Sequence, residues 1–202
     1  MGGEYNTIQM KRITVFCGSS AGTDNRYMEQ ARALGTTLAH EGIDVVYGGA
    51  NVGLMGALAD GALKANGRVI GVLPDFLRSK EIAHQGLTEL IIVETMHQRK
   101  TKMNDLCDGV IALPGGFGTL EEFFEMLTWG QLGLHQKPIG ILNTNGFYDP
   151  LLALMQHMVD DGFLKESNRA VVLVSTSIMD LLEQMRNYTP PLTGKWITKG
   201  TL

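Results

Sequence analysis

The sequence predicts a single α/β domain: one doubly wound parallel sheet of about seven strands, with helices on both faces. Two observations carry this. Short β-branched apolar runs alternate with longer runs of helical periodicity, the signature of repeated βαβ units. No linker rich in Pro, Ser or charge divides the 202 residues, and no segment repeats at a fixed period. A hydrophobic content of 44% with 19% charged residues gives the chain enough apolar material for one large core and argues against a disordered or fibrous protein.

The elements follow in order. Arg12–Cys17 (RITVFC) is the first strand; Asp24 then offers an N-cap for a helix over Asn25–Glu41 that Gly42 terminates. Asp44–Tyr47 (DVVY) leads through GGANVG into a helix near Leu54–Asn66, which Gly67 is expected to close. Arg68–Leu73 is the third strand, and Pro74–Gly86 is polar and irregular. Glu89–Val93 (ELIIV) precedes a helix near Met96–Cys107, and Val110–Leu113 (VIAL) runs straight into PGGFGT and a helix to about Leu132. Pro138–Leu142, a helix near Pro150–Asp161, Val171–Val174 and a helix near Ile178–Arg186 complete the series. Residues 1–10 read as an N-terminal extension, 11–187 as the domain, and 188–202, with Pro190-Pro191, as a tail.

Composition excludes several functions. Seventeen Lys+Arg against 21 Asp+Glu give a net charge of −4, and without a long basic run no nucleic-acid partner is expected. Cys17 and Cys107 stand 90 positions apart with no CxxC and no Cys/His cluster, so neither a disulfide framework nor a zinc site is expected, and buried reduced thiols are the plain reading. No run approaches the ~18 apolar residues of a membrane span, and Met1–Met10 lacks a signal-peptide pattern. The expectation is a cytoplasmic protein with no membrane partner.

Glycine is the unusual component, at 25 residues where ~7% is ordinary. Nine fall in three loops after strands: Gly18 and Gly22; Gly48, Gly49, Gly53 and Gly56; Gly115, Gly116 and Gly118. Such loops either make tight βα turns or let a phosphate approach the backbone at a helix N-terminus; three together favour the second. On this ground Gly18, Ser19, Ser20, Gly49, Gly115, Gly116 and Gly118 are candidate binding positions. The loops are not a Walker A motif, which needs GxxxxGK[ST]. They are not the dinucleotide fingerprint either: Glu121 stands where the third glycine belongs, and no acid follows about 20 positions on. An NAD-linked enzyme is therefore disfavoured.

Two charged sites stand out. Thr119-Leu120-Glu121-Glu122 reads as a capping box, in which Glu122 bonds the N-cap amide, or else Glu122 is a catalytic carboxylate; the pattern leaves both open. Leu120, Phe123, Phe124 and Leu127 form the expected core stripe, leaving Glu121, Glu125 and Thr128 on a face open to a cleft. Upstream, Arg99, Lys100 and Lys102 load the opening turns of a helix with cations, against the macrodipole. Arg99 shares its stripe with Met103 and Leu106, so it needs an anion: an internal carboxylate or a ligand phosphate. His97 fits a helix start, and no histidine has metal spacing with another.

PGGFGTLEE at Pro114–Glu122, MHQRK at Met96–Lys100, TWGQLG at Thr128–Gly133, YGGANVGLMG at Tyr47–Gly56 and VFCGSSAG at Val15–Gly22 together resemble the Lonely Guy (LOG) family. Its members are cytokinin riboside 5′-monophosphate phosphoribohydrolases, often mislabelled lysine decarboxylases. The resemblance runs from about Ile13 to Val174. It implies a homodimeric Rossmann-like enzyme that cleaves the N-glycosidic bond of a nucleoside 5′-monophosphate. Carried over by position, it makes Arg99 and Glu122 catalytic and assigns substrate binding to Glu81, Lys100, Gly116, Phe117, Gly118, Thr119, Leu120, Glu121 and Thr128. Ala50, Lys80 and Phe117 depart from the common Gly, Arg and Tyr, which bears on substrate choice. No cofactor and no metal are expected, and no Schiff-base lysine context supports pyridoxal chemistry. The expected reaction is hydrolysis of AMP or an N6-prenylated AMP to free base and ribose 5-phosphate; the alternative is a non-catalytic nucleotide-binding or carrier protein on the same scaffold. Trp129, Leu132 and Leu134 fit either core or interface.

Overall fold

The computed structural model describes residues 7–77 and 83–191. The strands β1 (Arg12–Phe16), β2 (Asp44–Tyr47), β3 (Val69–Pro74), β4 (Glu89–Val93), β5 (Gly109–Ala112), β6 (Ile139–Leu142) and β7 (Val172–Ser175) form one sheet in the order β4-β3-β2-β1-β5-β6-β7. All pairings are parallel, with Thr14 of β1 opposite Val46 on one side and Val110 on the other. The helices are α1 (Asn25–His40), α2 (Gly53–Lys64), α3 (Met96–Leu106), α4 (Phe117–Gln131), α5 (Asp149–Asp160), α6 (Glu166–Arg169) and α7 (Ile178–Arg186). The short α6 has no counterpart in the sequence reading, because four residues are too few to show a 3.6-residue period.

Pleating divides the strands between two cores. On β1, Ile13 and Val15 face α1, α2 and α7 with Leu34, Leu58 and Leu181, whereas Phe16 faces α3 and α4 with Met103 and Phe123. Strands buried on both faces need apolar residues at consecutive positions, which is why β2 and β5 read as unbroken runs. Each such side chain taken fully from water contributes roughly 1.5–3 kcal/mol. Ile8 and Met10 also pack on the first core, so part of the expected N-terminal extension joins the fold. Among the described residues no helix is long and apolar enough to cross a membrane.

The helix ends show one correction. Gly42 closes α1 as expected, in the left-handed region at φ +68, with Ile43 N–H donating to the Leu38 carbonyl at 2.8 Å. At the end of α2 that backbone position falls on Asn66, φ +61, and Gly67 follows it, donating to the Ala62 carbonyl at 2.8 Å. Gly67 is small for another reason: a Cβ there would lie 2.5 Å from Ala39 Cβ. The same holds within the α1–α2 contact, where a Cβ on Gly35 or Gly61 would lie 2.1 Å from the carbonyl oxygen of Leu58 or Arg32. Gly67, expected as a helix stop, and Gly35 and Gly61 inside the helices thus all serve close helix packing.

Candidate active site

The sheet order makes β1 and β5 neighbours whose helices leave for opposite faces, α1 to one and α4 to the other, and a crevice opens beyond the carboxyl ends of these strands. The two outgoing loops touch: Gly18 N–H donates to the Pro114 carbonyl at 3.0 Å. A Cβ on Gly115 would stand 2.2 Å from Thr119 Oγ1, so glycine is what allows this approach. The crevice holds a cavity of about 290 Å³ bounded by Cys17, Gly18, Ser19, Gly48, Met55, Met96, Arg99, Gly116, Phe117, Gly118, Thr119, Glu121 and Glu122.

One rim is the start of α4. Gly116 is the N-cap and makes no side-chain cap; the helix ladder begins with Leu120 N–H donating to the Gly116 carbonyl at 3.1 Å. That leaves the N–H groups of Phe117, Gly118 and Thr119 ahead of the ladder, where a helix N-terminus favours an anion. A Cβ on Gly116 or Gly118 would meet nothing within 4 Å, and neither residue has a positive φ. Protein packing therefore does not require glycine at either position, and the space left open belongs to the cavity.

This helix start overturns the capping-box reading. Thr119 lies three positions inside the helix and packs under Gly115, so Glu122 is a full turn in and caps nothing. The core stripe shifts as well: Phe123 and Met126 are buried, while Leu120, Phe124 and Leu127 are only partly covered. The rotation turns Glu122 inward. Its side chain is 11% exposed, its Oε1 lies 3.9 Å from Arg99 Nη1, and its carboxyl accepts no hydrogen bond from the described residues. Burial pushes its pKa up to about 7, with Arg99 opposing and Glu121 adding to the rise.

Arg99 comes from the first turn of α3, where Thr95 and Gln98 form a capping box. The residue is 8% exposed, and its guanidinium fills the space above Gly48, where a Cβ would stand 2.2 Å from Nη2. Of the two anions expected opposite Arg99, an internal carboxylate or a ligand phosphate, the carboxylate is present, but at 3.9 Å it is beyond hydrogen-bond reach, and the buried Arg99 Nε has no partner among the described residues. A buried unpaired guanidinium donor costs free energy that an anionic or hydroxyl-bearing ligand can recover. Lys100 differs: its Nζ reaches Glu121 at 2.6 Å and Glu125 at 3.0 Å, so its charge is already matched.

The remaining candidates divide. Gly18, Ser19, Gly116, Phe117, Gly118, Thr119 and Glu121 line the cavity with Arg99 and Glu122, whereas Ser20 and Gly115 line an adjoining chamber. Gly49, at φ +84, packs toward Leu73 and Leu90, and it is Gly48 that reaches the cavity. Leu120 does not line it. Thr128 lies farther along α4, donating to the Phe124 carbonyl at 2.8 Å and bordering a separate cavity with Leu127 and Met155. Glu81 and Lys80 lie outside the described residues. Cys17, Gly48, Met55 and Met96 are additions. The first two directly follow β1 and β2, a position that marks ligand sites in such sheets, while nothing in the sequence sets the methionines apart. Burial raises the Cys17 thiol well above its ordinary range, so it remains protonated and inert. Among the described residues no three His, Cys, Asp or Glu side chains group to hold a metal ion. Trp129 packs against the second core and is half-buried, as are Leu132 and Leu134.

Comparison with known proteins gives consistent matches. A family model described as possible lysine decarboxylase matches residues 55–185. The chain is 48% identical over 178 residues to a cytokinin riboside 5′-monophosphate phosphoribohydrolase of Rhodococcoides fascians, covering 88% of this chain and 90% of that protein. It is 43% identical over 187 residues to the Arabidopsis thaliana enzyme of the same name, LOG2, covering 93% and 88%. Among solved structures, the molybdenum cofactor binding protein of Rippkaea orientalis superposes with a TM-score of 0.65 at 26% identity, covering 88% of this chain and 96% of that one. The molybdenum cofactor carrier protein of Chlamydomonas reinhardtii, at TM-score 0.64 and 21% identity over 88% and 98%, shares the fold.

Proposed function

This chain belongs to the Lonely Guy family, whose model bears the description possible lysine decarboxylase, and on that premise we propose that it hydrolyses the N-glycosidic bond of a purine nucleoside 5′-monophosphate. AMP or an N6-prenylated AMP is the substrate, and free base and ribose 5-phosphate are the products. One observation carries this reading: the buried Glu122 carboxyl, which accepts no hydrogen bond from the described residues and lies 3.9 Å from Arg99, faces a cavity rimmed by the open N-terminus of α4.

Each group has a task in this reaction. The 5′-phosphate sits on the Phe117, Gly118 and Thr119 amides, against the positive end of α4, and so fixes the ribose over Glu122. The C1′–N bond breaks through an oxocarbenium-like ribose, which the Glu122 carboxylate stabilises or supplies with an activated water. The water oxygen bonds to C1′, and the departing base leaves with one proton. Arg99 holds the ionised form of Glu122 and directs its unpaired Nε donor to the phosphate or a ribose hydroxyl. Lys100 fixes Glu121 and Glu125 at the cavity edge. The working unit is a homodimer in the cytoplasm, and sedimentation at micromolar concentration tests the first point: a 22.0 kDa species would count against it.

Incubation with AMP and isopentenyl-AMP, followed by chromatography of free base, tests the reaction, and no base from any purine monophosphate removes it. The competing reading is a non-catalytic carrier, favoured by the likeness to the molybdenum cofactor binding protein of Rippkaea orientalis. Glu122→Ala separates the two: an enzyme loses about 10²–10⁴-fold in turnover, the usual contribution of a positioned acid or base, whereas a carrier has none to lose.

A further inference from the structure

A second chamber of about 340 Å³ adjoins the catalytic cavity, and the two share Gly18, Ser19 and Gly116 as a common lip. Its far wall is aromatic. The Tyr27 and Phe147 rings meet edge to face at 5.9 Å, and Phe147 is braced by Tyr148 at 4.9 Å. Gly22, at φ +75, makes room for this wall, since a Cβ there would lie 2.7 Å from Tyr27 Cδ2. Phe147 remains 40% exposed, leaving ring surface uncovered. The lip is polar and open: the exposed Ser19 and Ser20 hydroxyls make no hydrogen bond with the described residues, the position beside Gly116 is empty, and the N-terminal amides of α4 lie next to it.

This order of parts is a base-and-ribose cavity, a lip of donors and an aromatic chamber on the phosphate side. We propose that the protein binds dinucleoside pyrophosphates, with the pyrophosphate across the lip and the second nucleoside in the chamber against Tyr27 and Phe147, and that it cleaves the base lodged over Glu122. The inference rests on the hydrolytic reading of the catalytic cavity. Aromatic walls accept any nucleobase face, and serine hydroxyls with a helix N-terminus accept a second phosphoryl group. The step is the same hydrolysis: water oxygen bonds to C1′, the C1′–N bond breaks, and the base departs with one proton while the pyrophosphate remains intact. This is a substrate site and not the three-glycine cofactor fingerprint, which Glu121 interrupts.

The test uses diadenosine pyrophosphate and AMP as probes. With Glu122→Gln, which blocks turnover, calorimetric titration is expected to give at least a tenfold lower Kd for diadenosine pyrophosphate than for AMP. Ala21 lines the chamber and not the catalytic cavity, so Ala21→Trp, which fills the chamber, is expected to abolish that advantage and leave AMP turnover unchanged. Wild-type enzyme is expected to release adenine from the dinucleotide. Equal affinity for the two probes, loss of AMP turnover in Ala21→Trp, or AMP cleavage without dinucleotide cleavage overturns the proposal. Failure to cleave either probe defeats the hydrolase reading itself, and the affinity comparison still decides whether the chamber holds a nucleoside.

Discussion

Replacing Glu122 by Gln should change stability in a way that depends on pH. Burial raises the folded-state pKa to about 7 from an ordinary 4.5, with Arg99 opposing the rise. The sign follows from proton linkage. Between these two values the folded protein binds more protons than the unfolded chain, so the contribution is complete below pH 4.5 and is lost as pH rises through 7. Integrating the two titrations, Glu122 ionisation withdraws about 1 kcal/mol by pH 5 and about 3 kcal/mol by pH 8.5. Gln keeps the shape and cannot ionise. At pH 5 the wild-type carboxyl is itself protonated, so neither protein offers Arg99 an anion there, and the attraction of Arg99 for the ionised form at pH 8.5 is already contained in the folded-state pKa, so the difference between the two pH values reads the carboxyl alone. The stability of Glu122→Gln relative to wild type should therefore rise by about 2 kcal/mol from pH 5 to pH 8.5, equivalent to about 4–8 °C in Tm for a chain of this size. Thermal or urea unfolding at the two pH values measures it. An offset that stays constant between them would refute the argument that Glu122 is a buried, destabilised acid.

Three further outcomes are expected. The pH profile of kcat/KM should rise through about 7 as Glu122 ionises, and Arg99→Gln, by removing the cation that favours the carboxylate, should move that rise to higher pH and lower the plateau; an unmoved profile would separate Arg99 from Glu122. Gly116→Ala should leave Tm nearly unchanged because its Cβ meets nothing, yet weaken AMP binding tenfold or more by crowding the phosphate; Gly115→Ala, whose Cβ collides with Thr119 and the Gly18 backbone, should instead lower Tm, and parallel effects from the two would contradict this division. Gly61→Ala should destabilise by about 2–3 kcal/mol or more in urea unfolding, since its Cβ would stand 2.1 Å from the Arg32 carbonyl oxygen, a backbone atom held by α1, and a neutral effect would disprove the α1–α2 contact.

The sheet, its order of elements and most helix limits were legible because burial on both faces leaves an unbroken apolar signal, as in Asp44–Tyr47, and because β-branched and apolar residues also run unbroken through the exposed edge strand Glu89–Val93; the predicted and observed limits of both coincide. The Arg99–Glu122 pair was half-legible. Arg99 stood out as a cation on an apolar stripe, but Glu122 was divided between cap and catalyst, since Thr-x-x-Glu has the same spacing in either role. The three-dimensional start of α4, three residues earlier than that motif implies, removes the capping role. Gly49 and Gly48 are equivalent in a sequence; the left-handed backbone at Gly49 turns one toward Leu73 and Leu90 and leaves the other beneath Arg99.

What the sequence by itself determined is what depends on local periodicity and residue type: the parallel α/β layering, glycine loops at strand ends, an arginine in need of an anion, and the family. The tertiary structure decided what depends on distance between remote segments. It brought α3 and α4 together so that Arg99 and Glu122 face each other at 3.9 Å, raised the pKa of the carboxyl by burying it, and placed an aromatic chamber beside the N-terminus of α4. Burial and electrostatic coupling are properties of the whole packing around a group, and no window of sequence contains them.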